Sequence, residues 1–277
     1  MPELPEVETV AEGLREGGLV GCRIDTITVH WPRTIARPGV AAFRKGLRGR
    51  QVTSVGRRGK FLILGLDNGR TLLIHLRMTG HLFFAAADEA SHGHEHVVLG
   101  LDDRRELRYR DTRKFGRWWL VSDATDVIGH LGPEPLDPAF RSADFVKCLS
   151  KRRGALKPLL LNQSFIAGLG NIYVDEALWA AGLHPERKAE TLSDEDRKRL
   201  YRTIREALRR GLRSMGTTLG SGLTTFRSVW GRKGTNRDKL NVFRRTGHPC
   251  PRCDTTIERL IVGQRSTHIC PTCQQRP

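Results

Sequence analysis

The sequence predicts an α+β protein, in which an N-terminal β-sandwich flanked by helices is followed by a helical region. Three observations support this fold class. Residues from about 23 to 120 alternate in the manner of β-strands. Beyond the proline-rich stretch at residues 131–135, the apolar periodicity becomes helical. Four of the six cysteines lie between residues 250 and 273, which indicates a small metal-binding hairpin at the end of the chain.

The predicted helices are recognised by their apolar spacing. The first follows Pro2, and its apolar residues are Val7, Val10, Ala11 and Leu14. The clearest starts at Ser193, where Asp196 completes a capping pattern three residues later, and Gly216 ends it. Its apolar stripe consists of Leu200, Ile204, Leu208 and Leu212.

Two β-hairpins are predicted within the strand-rich region. Residues 61–66 and 71–76 flank the turn sequence Asp67-Asn68-Gly69-Arg70. Residues 96–101 and 106–109 flank a second turn around Asp102-Asp103. Together these hairpins indicate a β-sandwich or a flattened barrel.

The net charge indicates a polyanionic partner. Its formal value is +17 in 277 residues, and basic side chains bind polyanions by neutralising phosphates and releasing counterions. A membrane surface is the competing polyanion, but no stretch has the ~20 apolar residues of a membrane span, and the start has no signal-peptide pattern. We therefore expect a cytoplasmic protein that does not associate with membranes.

The four clustered cysteines have the spacing of a zinc ribbon. Cys250 and Cys253 form one C-x-x-C pair, and Cys270 and Cys273 form the other after sixteen intervening residues. Four thiolates fill the tetrahedral coordination of one Zn²⁺, so the metal is expected to be structural. Arg265 lies in the predicted hairpin between the pairs, as a phosphate ligand or as an ordinary surface residue.

Pro2 is the first of two candidate amine nucleophiles. Removal of Met1 would leave Pro2 with a free amino group, which titrates near ~8 and is partly unprotonated at neutral pH. Glu3 and Glu6 lie close by in sequence, although a proline followed by acids is also ordinary helix-start chemistry. Lys60, which precedes an apolar strand, is the alternative nucleophile or a solvated lysine.

Three further groups suit contact with nucleic acid. Aromatic residues alternate with basic ones between residues 104 and 119, as in surfaces that hold phosphates and stack on bases. Lys157 ends a basic stretch before the glycine-rich residues 168–171, whose backbone amides suit an anion. His92, His94 and His96 are predicted to face one side of a strand, as surface or phosphate-contacting residues rather than metal ligands.

Taken together, several short motifs resemble the formamidopyrimidine-DNA glycosylase family. They are Pro2-Glu3-Leu4-Pro5-Glu6-Val7-Glu8-Thr9, Lys60, Met78-Thr79-Gly80, Asp111-Thr112-Arg113-Lys114-Phe115-Gly116, Leu131-Gly132-Pro133-Glu134-Pro135-Leu136, Gly168-Leu169-Gly170-Asn171-Ile172-Tyr173 and the four-cysteine ribbon. The resemblance runs from residue 2 to residue 274. It implies a catalytic β-sandwich domain at residues 1–130, a helix-two-turn-helix domain at 131–236 and a zinc finger at 237–277.

The resemblance also implies a bifunctional glycosylase and abasic-site lyase for oxidised purines in duplex DNA. Its catalytic residues would be Pro2, the Schiff-base nucleophile, with Glu3, Glu6, Lys60 and Arg265. The residues expected to contact DNA are Met78, Arg113 and Phe115, which would enter the duplex, and His94, Lys114, Lys157 and Asn171. The family further implies a monomer in the bacterial cytoplasm, with one structural Zn²⁺ and no organic cofactor.

The chain departs from the family pattern in the segment from Leu219 to Phe243. Gly220-Ser221-Gly222-Leu223 and Thr235-Asn236-Arg237-Asp238 lack the aromatic-glutamine pair that is usual over the extruded base, and Phe243 replaces a common tyrosine. These changes keep open an endonuclease VIII-like preference for oxidised pyrimidines. A non-catalytic zinc-ribbon protein that binds DNA is the alternative from a different class.

Overall fold

A computed structural model describes residues 1–220, 222 and 225–276. The described residues form two compact units, of which the first comprises Met1–His130 with Ser214–Arg237 and the second comprises Leu131–Arg213 with Asp238–Pro277. The segment Ser214–Arg237 therefore belongs to the first unit, although the residues before and after it belong to the second. The division into three domains with boundaries at residues 130 and 236 stays a prediction.

The first unit contains a β-sandwich built from one continuous sheet. Over the described residues, the strand order is β2-β9-β5-β4-β3-β1-β7-β8-β6. The strands are β1 Arg23–Val29, β2 Ile35–Arg37, β3 Arg50–Arg58, β4 Phe61–Leu66, β5 Thr71–His75, β6 Gly80–Ala86, β7 Glu95–Leu101, β8 Arg105–Asp111 and β9 Arg117–Val121. The two halves are joined where Arg23 and Ile24 of β1 pair with Gln51 and Arg50 of β3. Both predicted hairpins, β4–β5 and β7–β8, are confirmed.

A shared core holds the two halves of the sheet together. Tyr109 of β8 and Trp118 of β9 lie on different halves, yet their ring centroids are 5.4 Å apart. The helices of this unit are α1 Leu4–Glu16, α2 Val40–Leu47 and α3 Thr125–Ile128. Helix α1 buries its predicted apolar residues Val7, Val10, Ala11 and Leu14 in the same core, so its stripe is confirmed. Burying this apolar surface stabilises the unit through the hydrophobic effect.

The second unit is helical and carries a two-stranded hairpin. Its elements are α4 Ser142–Ser150, α5 Leu156–Leu161, α6 Asn171–Ala181, α7 Asp194–Arg213, β10 Glu258–Val262 and β11 Arg265–Ile269. Ser193 and Asp196 exchange hydrogen bonds of 3.1 and 3.3 Å at the start of α7, which confirms the predicted capping pair. No helix in the described parts of the chain is long and apolar enough to cross a bilayer.

Candidate active site and DNA-contact residues

The start of helix α1 places Pro2 beside two buried carboxylates. Pro2 precedes Glu3, the N-cap residue, and both are buried. The backbone N–H of Glu3 donates to Glu6 Oε2 at 2.8 Å, and the Glu3 side chain in turn accepts from the backbone of Glu6. This reciprocal capping confirms the ordinary helix-start chemistry and also fixes both acids next to the proline. While Met1 is attached, the Pro2 nitrogen is an amide; its removal makes that nitrogen a secondary amine.

Residues after α7 fold over this helix start. The backbone N–H of Thr217 donates to Glu6 Oε1 at 2.7 Å, so the two oxygens of Glu6 hold two separate segments. Gly216 has φ +80°, and a Cβ atom there would lie 2.8 Å from Glu6 Cγ, so glycine is required at this turn. The predicted helix end at this glycine agrees with α7 ending at Arg213.

The segment that departs from the family pattern is anchored to the sheet within the same unit. Val229 is buried in the core beneath α1. His81 Nε2 lies 3.1 Å from the carbonyl oxygen of Ser228, and burial lowers the pKa of His81 to about 4, so this contact is made by a neutral imidazole. Ser221 and Leu223, two residues of the unusual sequence, lie outside the described residues.

Lys60 lies at the turn between β3 and β4, and only 5% of its surface is exposed. This turn is tied to α1 through Arg57. The Arg57 guanidinium donates to Glu8 Oε2 of α1 at 2.8 Å and to the carbonyl oxygen of Gly59 at 3.0 Å. The helix that begins beside Pro2 and the turn that carries Lys60 are therefore held to one another by an ion pair that is largely buried on the arginine side.

Three residues predicted to enter the duplex form one exposed cluster. Met78 and Phe115 are 43% and 46% exposed. The Arg113 guanidinium contacts Met78 Sδ at 3.0 Å and lies 4.6 Å from the Phe115 ring centroid. Exposed apolar side chains that flank a cation can replace the stacking of a displaced nucleotide, as wedge residues do in DNA-bending proteins. We call Met78, Arg113 and Phe115 the wedge cluster.

The prediction that His92, His94 and His96 face one side of a strand is wrong. Strand β7 begins at Glu95, and His94 has φ +58°, so His92 and His94 lie in a turn and do not alternate with His96 on one face. His94 is exposed, whereas His96 is buried. Lys114, the remaining predicted DNA residue of this unit, is exposed and holds its ammonium group 4.3 Å from the Trp31 ring centroid.

In the second unit, a buried polar network joins α5, α6 and the hairpin. Lys157 Nζ donates to Asp175 Oδ1 at 2.5 Å and to the carbonyl oxygen of Ser266 at 3.0 Å. Asn171 donates to the same carbonyl at 2.8 Å, and Asp175 Oδ2 accepts from the backbone of His268 at 3.0 Å. The structure thus brings Lys157 and Asn171 to the strand that begins at Arg265.

Lys157 is fully buried in this network, so its ammonium group is not presented as a surface phosphate ligand. Its position instead favours a structural role.

Lys157→Met is expected to lower the free energy of unfolding by about 3 kcal/mol, because it leaves the Asp175 charge buried without its partner. Urea denaturation followed by circular dichroism measures this loss. Lys157→Met combined with Asp175→Asn should recover part of it. Weakened DNA binding at unchanged stability would instead favour direct phosphate contact.

A groove of about 540 Å³ opens beside this network. It is lined by Asn171, Phe243, Arg244, Thr246, Arg259, Ser266 and His268. One wall is organised by Glu176, a buried carboxylate that accepts from the backbone N–H groups of Val242 and Phe243 at 2.9 and 3.1 Å. Arg210 pairs with the same carboxylate at 2.7 Å. Arginine side chains and an amide that line one groove suit a phosphate backbone.

The four ribbon cysteines fit a single zinc ion. Their sulfur atoms all lie within 4.8 Å of one another, and Cys250 and Cys270 are buried. Tetrahedral coordination at about 2.3 Å requires sulfur atoms roughly 3.8 Å apart. The distance from Cys250 to Cys273 is 3.9 Å, and that from Cys253 to Cys270 is 3.4 Å. The spacing and the donor set therefore match a closed, structural Zn²⁺ site.

The whole chain is similar to proteins of one family. Residues 1–118 match the formamidopyrimidine-DNA glycosylase N-terminal domain, residues 131–222 match its H2TH domain, and residues 247–276 match the zinc finger found in FPG and IleRS. The chain belongs to the formamidopyrimidine-DNA glycosylase family. This family carries a zinc finger, and the cysteine cluster holds one Zn²⁺.

Two relatives share the family name. The formamidopyrimidine-DNA glycosylase of Protochlamydia amoebophila is 48% identical over 261 residues, covering 94% of this chain and 95% of the relative. The one from Herpetosiphon aurantiacus is 47% identical over 264 residues, with 94% and 95% covered.

Solved structures of the family match over nearly the full length. The complex between the Lactococcus lactis Fpg and an abasic site containing DNA has a TM-score of 0.90 and 36% identity, with 99% of this chain and 100% of that chain covered. MutM in complex with carbocyclic 8-oxo-G containing DNA has a TM-score of 0.91 and 37% identity, with the same coverage. The N-terminal sandwich, the helical region and the terminal hairpin predicted from sequence are therefore confirmed as the fold of this family.

Several residues that organise these sites were not singled out by the sequence. Arg57, Asp111 and Glu176 each join segments that are distant along the chain. Asp111 lies inside the quoted motif of residues 111–116, so the motif marked the position without indicating its role. Arg57 and Glu176 gave no such signal, because a charged residue on a strand or helix is ordinarily solvated.

Proposed function

We propose that the protein is a bifunctional DNA glycosylase and abasic-site lyase of base-excision repair, which removes oxidised purines from duplex DNA. Membership of the family supports this proposal, since relatives carry the glycosylase name and a matched structure contains 8-oxo-G DNA. The observation in this chain that carries it is the helix start, where a proline that can become a free amine adjoins two buried carboxylates.

Pro2 acts as the nucleophile in the proposed reaction. After Met1 is removed, its nitrogen attacks C1′ of the damaged nucleotide, and the electrons of the glycosidic bond leave with the base. The nitrogen then loses its proton, the sugar ring opens as the C1′–O4′ bond breaks, and O4′ takes up a proton. Because the amine is secondary, the product is a permanently charged iminium ion at C1′, which withdraws electrons from the neighbouring C2′–H bond. Loss of that proton then expels the 3′ phosphate, and a second elimination expels the 5′ phosphate. The strand is cut on both sides of the sugar.

The proposed acid and base groups are Glu3, Glu6 and Lys60. Glu3, fixed at the helix start, moves protons at the deoxyribose, while Glu6 assists near the amine. Lys60 serves as a general acid and phosphate contact, and the Arg57 bridge to α1 supports its position. Capping and catalysis are compatible, because the bonds that satisfy the helix start also orient the acids.

The proposed DNA contacts come from both units. In the first, the wedge cluster fills the space left by the displaced nucleotide, and His94 and Lys114 contact the strand. In the second, Asn171 and Arg265 contact phosphate, and Lys157 supports the hairpin from within. Zn²⁺ holds the hairpin through Cys250, Cys253, Cys270 and Cys273. Because the chain supplies every group that the reaction needs, we propose a monomer without an organic cofactor, at work on the bacterial chromosome in the cytoplasm.

Substrate preference is tested by comparing two lesions in otherwise identical duplexes. Single-turnover rates are measured for 8-oxoguanine opposite cytosine and for thymine glycol opposite adenine. Faster release of 8-oxoguanine is expected. Faster release of thymine glycol would favour the endonuclease VIII-like alternative, which the unusual segment around residues 219–243 motivates. Lesion-independent binding without strand scission would contradict both and indicate a non-catalytic DNA-binding protein.

A further inference from the structure

The side chain of Asp111 lies at the centre of a buried hydrogen-bond network next to the wedge cluster. Asp111 is 0% exposed. Its Oδ1 atom accepts from the Thr79 hydroxyl and from the backbone N–H of Arg113, the latter at 3.2 Å. Its Oδ2 atom accepts from the backbone N–H of Gly116 at 2.7 Å and from the Tyr109 hydroxyl at 3.2 Å. One carboxylate therefore receives four donors.

Three of these four donors belong to the two loops that carry the wedge cluster, and the fourth, Tyr109, lies in β8. Thr79 directly follows Met78, while Arg113 and Gly116 bracket the loop that contains Phe115. The two loops also meet directly, since the Arg113 N–H lies 3.3 Å from the Thr79 hydroxyl oxygen. The exposed side chains of the wedge cluster are thus carried by two loops whose buried backbone is held together by Asp111.

The backbone of Asp111 extends the network toward the predicted histidine contact. Its N–H donates to the carbonyl oxygen of His94 at 3.0 Å, and its own carbonyl oxygen accepts from His96 Nε2 at 2.8 Å. Burial lowers the pKa of His96 and raises that of Tyr109, so both rings stay neutral at pH 7 and both donate to Asp111. Glycine is needed at residue 116, where a Cβ atom would lie 1.6 Å from the Tyr109 oxygen.

We propose that Asp111 is a positioning residue for base eversion, which holds Met78, Arg113 and Phe115 in the arrangement that enters the duplex. The inference rests on the proposed function, because it concerns how that enzyme opens its substrate. Extruding a base costs a few kcal/mol of stacking and pairing, and an inserted wedge offsets this cost only when its side chains are already in place. Asp111 touches no substrate in this role and acts through the two loops.

A carboxylate is the group that this position requires. Both of its oxygens only accept, so four donors are satisfied at once. An asparagine of the same shape would turn an NH₂ group toward one pair of donors. Thr79 and Tyr109 could rotate their hydroxyls to accept, but the backbone N–H of Arg113 or Gly116 could not. Asp111→Asn therefore removes a hydrogen bond to the backbone of the loop between Arg113 and Gly116, while the volume of the side chain is preserved.

The experiment compares two substrates that differ only in the need for eversion. One is 8-oxoguanine paired with cytosine in a duplex, and the other is the same lesion inside an unpaired bubble. Single-turnover excision is measured for wild type and Asp111→Asn at saturating enzyme. We expect Asp111→Asn to be slower by about tenfold or more on the paired duplex, as loss of a buried hydrogen bond predicts. We expect most of that deficit to disappear on the bubble.

Three further variants separate positioning from folding. Thr79→Val removes one donor without changing shape and should show the same substrate-dependent deficit in weaker form, whereas Thr79→Ser keeps the hydroxyl and should restore excision. Asp103→Asn is the matched control. Asp103 precedes the first residue of β8, whereas Asp111 is its last, and the Asp103 carboxylate accepts from the backbone N–H of Arg105. This variant should leave the excision rates on the duplex and on the bubble unchanged. If Asp111→Asn does not fold, the comparison of Thr79→Val with Thr79→Ser tests the proposal instead.

The outcomes distinguish this inference from the proposed function. An equal loss on duplex and bubble, or no loss on either, would overturn the positioning role, because a structural defect lowers the folded fraction for every substrate alike. Wild type that excises 8-oxoguanine from neither substrate would instead contradict the proposed function.

Discussion

Replacing Pro2 with glycine is expected to remove the covalent DNA adduct that borohydride traps from the wild-type enzyme. Glycine keeps an amino group, but a primary amine forms an imine that must be protonated to act as an electron sink, whereas proline forms a charged iminium directly. The glycine backbone is also freer, so the nitrogen is less well oriented beside Glu3. We expect the trapping rate to fall by at least about a hundredfold, as for a misplaced reacting group. Trapping on a duplex with a preformed abasic site measures it.

The control for this prediction uses the wild-type sequence with Met1 retained. Such a protein has an amide at the Pro2 nitrogen, so it should bind the abasic duplex and form no adduct. Mass spectrometry of the intact protein gives the fraction without Met1, and the trapped fraction should follow it. Adduct formation in the Met1-retained protein would contradict the assignment of Pro2 and would indicate that Lys60, the other candidate amine, is the nucleophile.

The elements that the sequence predicted correctly are those with local signals. The β4–β5 hairpin follows from two apolar strands around Asp67-Asn68-Gly69-Arg70, and the start of α7 from the exchange between Ser193 and Asp196. The cysteine cluster follows from two C-x-x-C pairs whose spacing suits one metal. In each case the residues that determine the structure lie close together in sequence, or are restricted by coordination chemistry.

The features that sequence did not predict depend on contacts between distant segments. The burial of Lys157 follows from Asp175 and Ser266, which approach it only after α6 and the hairpin have folded. The return of Ser214–Arg237 to the first unit involves the bond from Thr217 to Glu6. The histidines were misplaced because a period of two extends equally well through a turn, and only the backbone conformation of His94 shows where β7 begins.

Loss of zinc is expected to weaken DNA binding strongly while the β-sandwich stays folded. The hairpin has two strands of five residues, and the buried cluster around its cysteines consists of Trp179, Val242, Cys250, Ile257 and Cys270. Such a small core does not hold a hairpin in place without its metal. When the hairpin unfolds, Arg265 loses its position, and the Ser266 carbonyl leaves Lys157 and Asn171.

Cys253→Ser is the variant for this test, and Cys148→Ser is its matched control, because Cys148 is exposed and lies outside the cluster. We expect Cys253→Ser to lose zinc and to bind lesion DNA about a hundredfold more weakly, as two lost hydrogen bonds to charged groups of about 1.5 kcal/mol each predict. Metal analysis and fluorescence anisotropy measure both effects.

Hydrogen exchange in β3, β4 and β8 should match wild type, because these strands belong to the first unit and the ribbon to the second. Full DNA affinity without zinc would contradict a role for the hairpin in binding, and faster exchange in those strands would show that the ribbon also stabilises the sandwich.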